Sequence, residues 1–497
     1  MSEKSTEVPS ETAPMAGGDT QSHDIPFAEH LKQALSQNWD PAPAVPHPAH
    51  PDVAAQTVAR RFALTSALPG RLIVVPSGNP KVRSNDTDYP FRPASSFTWL
   101  TGETVEDAVL VIPPDGEATL YVREWAEAGR IEYFASRLHG TVWVGNMPNL
   151  ADTSTALGLR TRPLAALADD LARYQDTPTA LLPDVDASVA ELLPQADDGA
   201  ALFQLLDELR LIKDDWEIDR LRAACESTAR GFEDVVRELP KVVGRSDIRG
   251  ERWLEGTFWR RARLEGNEVG YSSIVGSGRH ATTLHWVRND GAIEAGGLML
   301  CDMGIETDEL YTADVTRTLP VDGEWSPAQL RVYRAVQEAQ AAGIGEVKAG
   351  ADFLSAHRAA MWVLADHLHS WGVLEVPAEV SCDDDEDRPG AGLHRRYTLH
   401  GTSHMLGIDV HDCAQAREQA YREGTLEAGH VLTVEPGLYF QVNDRSVPAE
   451  LRGIGVRIED DIAVTDGAPE NLSASLPRDP DGVIEWLREA QASPATP

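Results

Sequence analysis

The chain has 497 residues, of which 42% are hydrophobic. Because a single core stops growing at about 250–300 residues, we expect at least two domains. Its 79 acidic and 44 basic residues give a net charge of −35, which argues against nucleic acid or an anionic membrane as a partner. The sequence contains no run of 18 apolar residues, and its polar N-terminus lacks the apolar core of a signal peptide, so we expect a cytoplasmic protein.

The first predicted region is an N-terminal tail, residues 1–53. It is rich in Pro, Ser, Ala and Glu, and PAPAVPHPAHP at 41–51 is typical of extended, solvated chain. We expect this tail to be disordered or partly helical, with one short helix at FAEHLKQALSQ, residues 27–37.

The second predicted region, residues 54–205, is an α/β domain. Short β-rich runs bounded by turn residues predict strands at RLIVVPSG, DAVLVIPPDGEATLYV, TVWVG and TALLPD. The stretch ADTSTALGLRTRPLAALADDLARY, residues 151–174, lies between two of these runs and is predicted to be helical.

The third predicted region, residues 206–470, is also α/β. Apolar residues recur at helical spacing up to residue 239, and Asp214 or Asp215 is a candidate cap for the second of two helices. The strand-like runs GLMLCDMG, HVLTVEPGLYF and VRIEDDIAVT accompany long helical stretches at 326–347 and 352–372. We expect an exposed loop at SCDDDEDRPGAG and a C-terminal extension, residues 471–497, whose end frays.

Four carboxylates lie at or near the ends of apolar, strand-like runs of the third region. They are Asp302, Asp314, Glu435 and Glu459. An ionised carboxylate is costly to bury unless it is paired or binds a metal, so four of them call for a shared explanation. Four carboxylates and one imidazole would balance two divalent cations, and oxygen-rich ligation suits Mn²⁺, Co²⁺ or Fe²⁺, with Zn²⁺ less distinctive.

The stretch TLHGTSHMLGIDVHD, residues 398–412, carries three histidines that could supply the nitrogen ligand. His400 and His404 have the spacing of the zinc motif H-E-x-x-H, but Gly401 stands where that motif requires a glutamate. Gly-Thr-Ser is also poor helix-forming sequence. From the residues alone, His400, His404 and His411 remain candidates for metal ligands, catalytic groups or structural side chains.

The same stretch resembles the signature of Xaa-Pro peptidases in the methionine aminopeptidase/aminopeptidase P superfamily, the pita-bread metallopeptidases of family M24. The family's other motifs are matched, in order, by TTLHWVRN, LCDMG, ADVTRTLPV, LTVEPGLY and GIGVRIEDD. NDTDYPFRPASSFTWLTG resembles part of the N-terminal domains of aminopeptidase P and prolidase. The resemblance covers residues 54 to about 465. It implies an α/β N-terminal domain of the creatinase/aminopeptidase P type, followed by a pita-bread catalytic domain.

The resemblance also implies a metal site. Carried over position by position, the ligands of two divalent metal ions, with Mn²⁺ the first choice, would be Asp302, Asp314, His404, Glu435 and Glu459. Asp314 and Glu459 would bind both ions, and Glu435 would act as general base towards the bridging water.

Other roles are implied for residues around the metals. His411 would donate to the scissile carbonyl, His285 would help to place the substrate, and His400 would line the pocket near the proline ring. Arg457 and Tyr439 would support the site. Asp86 would bind the substrate amine in the active site of a partner subunit, a role for which Asp88 competes.

The implied activity is that of a metal-dependent Xaa-Pro aminopeptidase, in which a hydroxide that bridges two metals cleaves Xaa-|-Pro-peptides. The alternatives are an Xaa-Pro dipeptidase (prolidase) and, in another class, an inactive relative that acts as a binding module. All five ligand positions carry the family's residue types, which disfavours the binding module and a metal-free creatinase-like enzyme. The N-terminal domain disfavours a plain methionine aminopeptidase. The resemblance further implies a homodimer or homotetramer.

Overall fold

The computed structural model describes residues 27–40, 42–196, 199–385 and 387–493, and the chain divides into two compact units between Gly199 and Ala200. The disorder predicted for 1–26 and the fraying end at 494–497 lie outside the described residues. The sequence-based boundary after residue 205 falls within a helix, Ala200–Arg210. Among the described residues, no helix is long and apolar enough to cross a membrane.

The first described helix of the N-terminal unit is the short helix that the sequence predicts. Its helices are α1 Glu29–Leu35, α2 Val53–Ala67, α3 Ser95–Thr101, α4 Glu132–Ala135, α5 Thr141–Val144, α6 Leu150–Leu157, α7 Leu167–Leu171 and α8 Ala187–Glu191. Its strands are β1 Leu72–Pro76, β2 Val82–Ser84, β3 Thr87–Asp88, β4 Val109–Ile112, β5 Thr119–Val122, β6 Arg160–Pro163 and β7 Thr179–Leu181.

Five of these strands form a mixed sheet in the order β6-β5-β4-β1-β7. Strands β1 and β4 are antiparallel, whereas β1 and β7 are parallel. Alternate residues of the central strands, including Leu72, Val74, Val109 and Val111, are buried against α7 and α8. The apolar runs at 71–78 and 107–122 therefore form strands because both faces of the sheet are covered.

Two predictions for the N-terminal unit are wrong in part. TVWVG, predicted as a strand, is the one-turn helix α5, in which Val144 donates a backbone hydrogen bond to Gly140. Its side chains are exposed and the sheet offers it no neighbouring strand, so β-branched composition alone does not determine its conformation. The stretch 151–174, predicted as helical, contains β6 between α6 and α7, because Gly158 ends α6 with a left-handed backbone conformation.

The C-terminal unit contains the longer helices. They are α9 Ala200–Arg210, α10 Asp215–Val242, α11 Gly250–Glu265, α12 Pro327–Glu346, α13 Ser355–Ser370, α14 Ala378–Ser381 and α15 Pro480–Ala492. Its strands are β8 Glu268–Val269, β9 Ile274–Ser277, β10 Leu298–Met303, β11 Ile305–Glu306, β12 Val315–Pro320, β13 Val431–Val434, β14 Gly437–Tyr439, β15 Gly455–Arg457, β16 Asp460–Ala463 and β17 Glu470–Asn471.

The start of helix α10 is determined by a capping interaction in the local sequence. Of the two candidate caps, Asp214 is the one used: its carboxylate accepts from the Glu217 amide at 2.8 Å, and the Glu217 side chain accepts from the Asp214 amide at 3.0 Å. This reciprocal pair satisfies two amides that a helix start leaves without partners. The apolar face of α10, including Phe232, Val235 and Leu239, is buried in the core shared with α11 and β10.

Three short antiparallel pairs determine where the candidate ligands lie. Strand β10 pairs with β12, β13 with β16, and β14 with β15. The fully buried Arg317 on β12 joins the first two of these pairs, because its guanidinium donates to the carbonyl of Glu459 at 2.6 Å and to the carboxylate of Asp460 at 2.6 Å. Arg317 thereby fixes the strand that follows Asp314 against the strand that follows Glu459.

Burial of His430 makes the stability of the C-terminal unit sensitive to acid. The side chain is 3% exposed, and its Nδ1 accepts from the Glu427 amide at 3.1 Å. Burial, reinforced by nearby Lys213, lowers the pKa of His430 to about 4 from its ordinary 6.5. Between pH 6.5 and pH 4 the unfolded chain binds a proton at His430 that the folded chain does not bind. The free energy of unfolding is therefore undiminished by His430 above pH 6.5 and falls as the pH is lowered towards 4.

We predict that His430→Asn, whose side-chain oxygen can replace Nδ1 as acceptor, loses less stability than the wild type between pH 7 and pH 5. Urea unfolding midpoints of both proteins at several pH values measure this difference. Equal pH slopes for the two proteins would contradict the prediction.

Candidate active site

The four predicted carboxylates lie close together because each is in or next to the end of a strand, and these strand ends are neighbours. Asp302 lies in β10 opposite Thr316 of β12, and Asp314 directly precedes β12. Glu435 follows β13 and Glu459 precedes β16, and these strands pair with Val434 opposite Asp460. The Glu459 amide donates to the Thr316 carbonyl at 3.1 Å, which joins the two pairs of strands.

His404 reaches the same place because its segment runs beside β13. The Thr433 amide donates to the His404 carbonyl at 3.0 Å, and the Glu435 amide donates to the Thr402 carbonyl at 2.8 Å. His404 Nε2 consequently lies 3.3 Å from Asp314 Oδ2 and 3.7 Å from Glu435 Oε1. The residues from His400 to His404 are not helical, so their four-residue spacing does not form a helical turn.

The donor set fits divalent metal ions. One ligand atom each from Asp314, His404 and Glu459 lies within 4.8 Å of the others. Burial raises the pKa of Glu435 to about 8, with Asp314 and Asp302 adding repulsion, and burial together with Asp314 raises the pKa of Glu459 well above its usual range. Carboxylates crowded in this way are stabilised by cations among them.

Arg457 begins a chain of hydrogen bonds along one wall of the site. Its guanidinium donates to Asp302 Oδ2 at 2.5 Å and to Tyr439 Oη at 2.9 Å. Tyr439 Oη lies 2.8 Å from His400 Nε2, and His400 Nδ1 lies 2.8 Å from the Gly401 carbonyl. Burial, with the charge of Arg457, lowers the pKa of His400 to about 3, so its imidazole is neutral, accepts from Tyr439 and donates to Gly401.

Two side chains that the sequence reasoning missed contact the carboxylates directly. Tyr271 Oη donates to Asp302 Oδ1 at 2.7 Å, and Thr316 Oγ1 donates to Glu459 Oε2 at 2.6 Å while it accepts from Arg457 Nε at 3.1 Å. Thr316 could have been predicted from the sequence, because side chains two positions apart in a strand point to the same face and Thr316 is two positions after Asp314. Tyr271 has no comparable spacing relation to a ligand.

These groups open into a cavity of about 780 Å³. Its lining includes His285, His400 and His411, so the structure brings all three predicted catalytic histidines to one space. It also includes His357, which sequence reasoning missed and whose Nδ1 lies 2.8 Å from Thr402 Oγ1.

His411 stands beside His404, with ring centroids 4.4 Å apart and planes at 81°. Burial, and to a smaller extent the charge of neighbouring His404, lowers the pKa of His411. The imidazole of His411 is therefore neutral where it faces the cavity. The next residue, Asp412, is buried and accepts hydrogen bonds from Arg210 and, at 2.9 Å, from Lys213 Nζ. These ion pairs anchor the chain immediately after His411.

Asp86 and Asp88 lie in the N-terminal unit, in the exposed hairpin of β2 and β3. Neither belongs to the lining of the cavity in the C-terminal unit. The predicted contact of Asp86 with a partner subunit's substrate stays a prediction.

Comparisons with known proteins found matches in both units. Residues 219–466 match the model of metallopeptidase family M24, and residues 57–180 match the aminopeptidase P N-terminal domain. The chain is 49% identical over 432 residues to Xaa-Pro aminopeptidase 2 of Streptomyces coelicolor, with 86% of this chain and 90% of the relative covered.

Solved structures give the same result. Pseudomonas aeruginosa aminopeptidase PepP superposes with a TM-score of 0.77 at 27% identity, over 88% of this chain and 99% of that one. Zinc-substituted Escherichia coli aminopeptidase P in complex with product gives a TM-score of 0.76 at 28% identity, with the same coverage.

Proposed function

This chain belongs to metallopeptidase family M24 and to its Xaa-Pro aminopeptidases, and from that membership we propose that it releases the N-terminal residue of peptides whose second residue is proline. The observation that carries the proposal is the convergence of five ligand side chains in one cavity. The proposed ligands are Asp302, Asp314, His404, Glu435 and Glu459.

Two divalent cations held by these side chains would lower the pKa of a shared water and polarise the scissile carbonyl. The donor set is four carboxylates and one imidazole, which suits Mn²⁺ and also accommodates Co²⁺, Fe²⁺ or Zn²⁺. By the family resemblance we assign Asp314 and Glu459 as the shared ligands, and in support one ligand atom of each lies within 4.8 Å of the other and of His404.

Glu435 is the proposed general base. Its carboxylate lies in the cavity beside His404 and 3.4 Å from His400 Nδ1, so a proton that it accepts from the attacking water stays within the site. The chain from Arg457 through Tyr439 to His400 fixes the imidazole next to this carboxylate. Arg457 and Tyr439 thus fix His400 beside the base, and neither has to change its charge.

Selectivity for proline would come from the shape of the cavity. A prolyl residue forms a tertiary amide without an N–H, so the site needs no acceptor at that position and can use apolar contact instead. The cavity lining includes apolar residues such as Ile274 and Phe353 as well as His400, and these would offer surface to a pyrrolidine ring.

His411 is the proposed donor to the scissile carbonyl, and its removal should slow the chemical step. We expect His411→Ala to lower kcat by about 10²- to 10³-fold with a smaller change in KM, because the developing oxyanion loses a donor that the ground state uses less. Steady-state kinetics with a tripeptide of the form Xaa-Pro-Xaa measure both constants.

The matched variant His411→Gln keeps an amide N–H in this region and should recover part of the lost kcat. The ion pairs of Asp412 are untouched in both variants, so the melting temperature should stay close to that of the wild type. A kcat unchanged in His411→Ala would refute the assignment.

A panel of three substrates tests the proposed function. The Mn²⁺-loaded protein is incubated with Xaa-Pro-Xaa, Xaa-Ala-Xaa and Xaa-Pro, and the products are identified by mass spectrometry. We expect a free first residue from the proline tripeptide and little cleavage of the alanine tripeptide. Cleavage of the dipeptide alone would identify a dipeptidase, and no cleavage of any substrate would favour a binding module.

The proposal also includes the protein's surroundings. We propose a homodimer or homotetramer that acts in the cytoplasm, with peptides as its substrates and neither nucleic acid nor membrane as a partner, in keeping with the net charge of −35. Light scattering coupled to size exclusion measures the assembly, and a monomer at micromolar concentration would contradict this part.

A further inference from the structure

Glu251 on α11 is fully buried and accepts four hydrogen bonds from one stretch of chain. Its Oε1 accepts from the Ser277 amide at 2.9 Å and from His280 Nδ1 at 2.7 Å. Its Oε2 accepts from Trp286 Nε1 at 2.8 Å and from the Gly291 amide at 2.7 Å. One carboxylate thus binds donors from the end of β9, Ser277, through to Gly291 in the connection between β9 and β10.

This β9–β10 segment, residues 278–297, carries His285 into the active-site cavity together with Leu284 and Val287. His285 is exposed, whereas its neighbour Trp286 is half-buried, donates to Glu251 and stacks on His280 with centroids 3.9 Å apart and planes at 22°. Because Trp286 is fixed both by a hydrogen bond and by a stacked ring, the backbone at position 285 has little freedom.

The absence of a side chain at Gly291 lets the segment approach this carboxylate closely. A Cβ at position 291 would lie 2.8 Å from Glu251 Oε2 and 2.7 Å from His280 Cε1, closer than a side chain tolerates. A second acid one helical turn along α11, Glu255, accepts from Asn289 Nδ2 at 2.7 Å, and Asn289 in turn accepts from the Val275 amide at 2.9 Å. Two acids on one helix face therefore hold the segment that follows His285.

We propose that Glu251 is a positioning residue for His285: it fixes the β9–β10 segment so that the His285 imidazole stays directed into the cavity. This inference rests on the proposed function, since His285 matters only if the cavity binds peptide. Glu251 itself does not line the cavity, so it acts through the segment and not by contact with substrate.

The principal variant is Glu251→Gln, which keeps the volume of the side chain but turns an NH₂ group towards two of the four donors. We expect kcat/KM for Xaa-Pro-Xaa to fall by about 10- to 100-fold, as for other residues that orient a functional group. If Glu251 acts through His285, the double variant with His285→Ala should be no slower than His285→Ala alone. If the fold-losses in kcat/KM of the two single variants multiplied in the double variant, the inference would be overturned.

Hydrogen–deuterium exchange gives a readout that is independent of turnover. In Glu251→Gln, amide exchange should rise in the peptide that spans 277–291 and stay unchanged in α12 and α13. Unchanged exchange in 277–291 would overturn the inference. If the wild type showed this protection but cleaved no Xaa-Pro peptide, the proposed function would fail and the anchoring by Glu251 would stand.

Glu265→Gln is the matched control, because Glu265 lies on the same helix and is ion-paired with Arg230 and Arg261 away from the β9–β10 segment. It should lower the melting temperature without a change in kcat/KM, and an equal loss of activity in this control would overturn the inference. Should Glu251→Gln not fold, Trp286→Phe removes one of the four hydrogen bonds and keeps an aromatic ring on His280. It should raise exchange in the same peptide, and unchanged exchange would count against the inference.

Discussion

Replacing Asp314 with asparagine is expected to abolish both divalent-metal binding and peptide hydrolysis. Asp314 is the proposed ligand shared between the two ions, and its carboxylate lies 3.3 Å from His404 Nε2 and within 4.8 Å of a Glu459 ligand atom. An amide is a poor bridging ligand and carries no charge to balance a cation. Isothermal titration with Mn²⁺ and assays with Xaa-Pro-Xaa measure the two losses.

The metal-free variant should fold at least as well as the metal-free wild type. Asp314 is one of the groups whose repulsion raises the pKa of Glu459, and the substitution removes that charge. The control is Asp322→Asn, an exposed acid just past the other end of β12, which should keep full metal binding and turnover. Full activity in Asp314→Asn would show that the site is assigned to the wrong residues.

Replacing Glu435 with glutamine is expected to lower kcat by about 10²- to 10⁴-fold, the usual contribution of a general base. Glutamine keeps the size of the side chain and one oxygen for a metal, but it cannot accept a proton. The Glu435 backbone amide, bonded to the Thr402 carbonyl at 2.8 Å, is unaffected, so the local fold should persist. Single-turnover kinetics at saturating Mn²⁺ measure the chemical step.

Glu427→Gln is the matched control for this substitution. Glu427 is exposed shortly before β13, whereas Glu435 directly follows that strand, so the same chemical change is made outside the site. Its kcat should equal that of the wild type. If Glu435→Gln kept kcat within threefold of the wild type at full metal loading, another group would have to be the base.

The fold class and the meeting of the candidate ligands were predictable from the sequence. The predicted order, an α/β N-terminal domain followed by an M24 domain, is confirmed by the matches at 57–180 and 219–466. Asp302 and Glu435 each sit at the end of an apolar run, and a strand end is where a buried carboxylate can reach a common site. The four carboxylates called for a shared explanation, and the ordered motifs indicated the family.

Other features were not predictable because they depend on tertiary neighbours. TVWVG has the composition of a strand, yet it forms the helix α5 because no strand lies beside it. Tyr271 contacts Asp302 from a loop after β8, at a spacing that no helical or strand period specifies. In the sequence Glu251 has no feature that distinguishes it from other helix acids. Only the structure shows that its carboxylate accepts four hydrogen bonds.

A count of metal ions against turnover tests the central claim most directly. The protein is stripped with a chelator and titrated with Mn²⁺, while bound metal per chain and the release of the first residue from an Xaa-Pro-Xaa peptide are followed together. The five-ligand site predicts no turnover without metal, a final stoichiometry of two ions per chain, and full activity as the second ion binds. Undiminished cleavage by the metal-free protein, or a folded protein that binds no Mn²⁺, would contradict it.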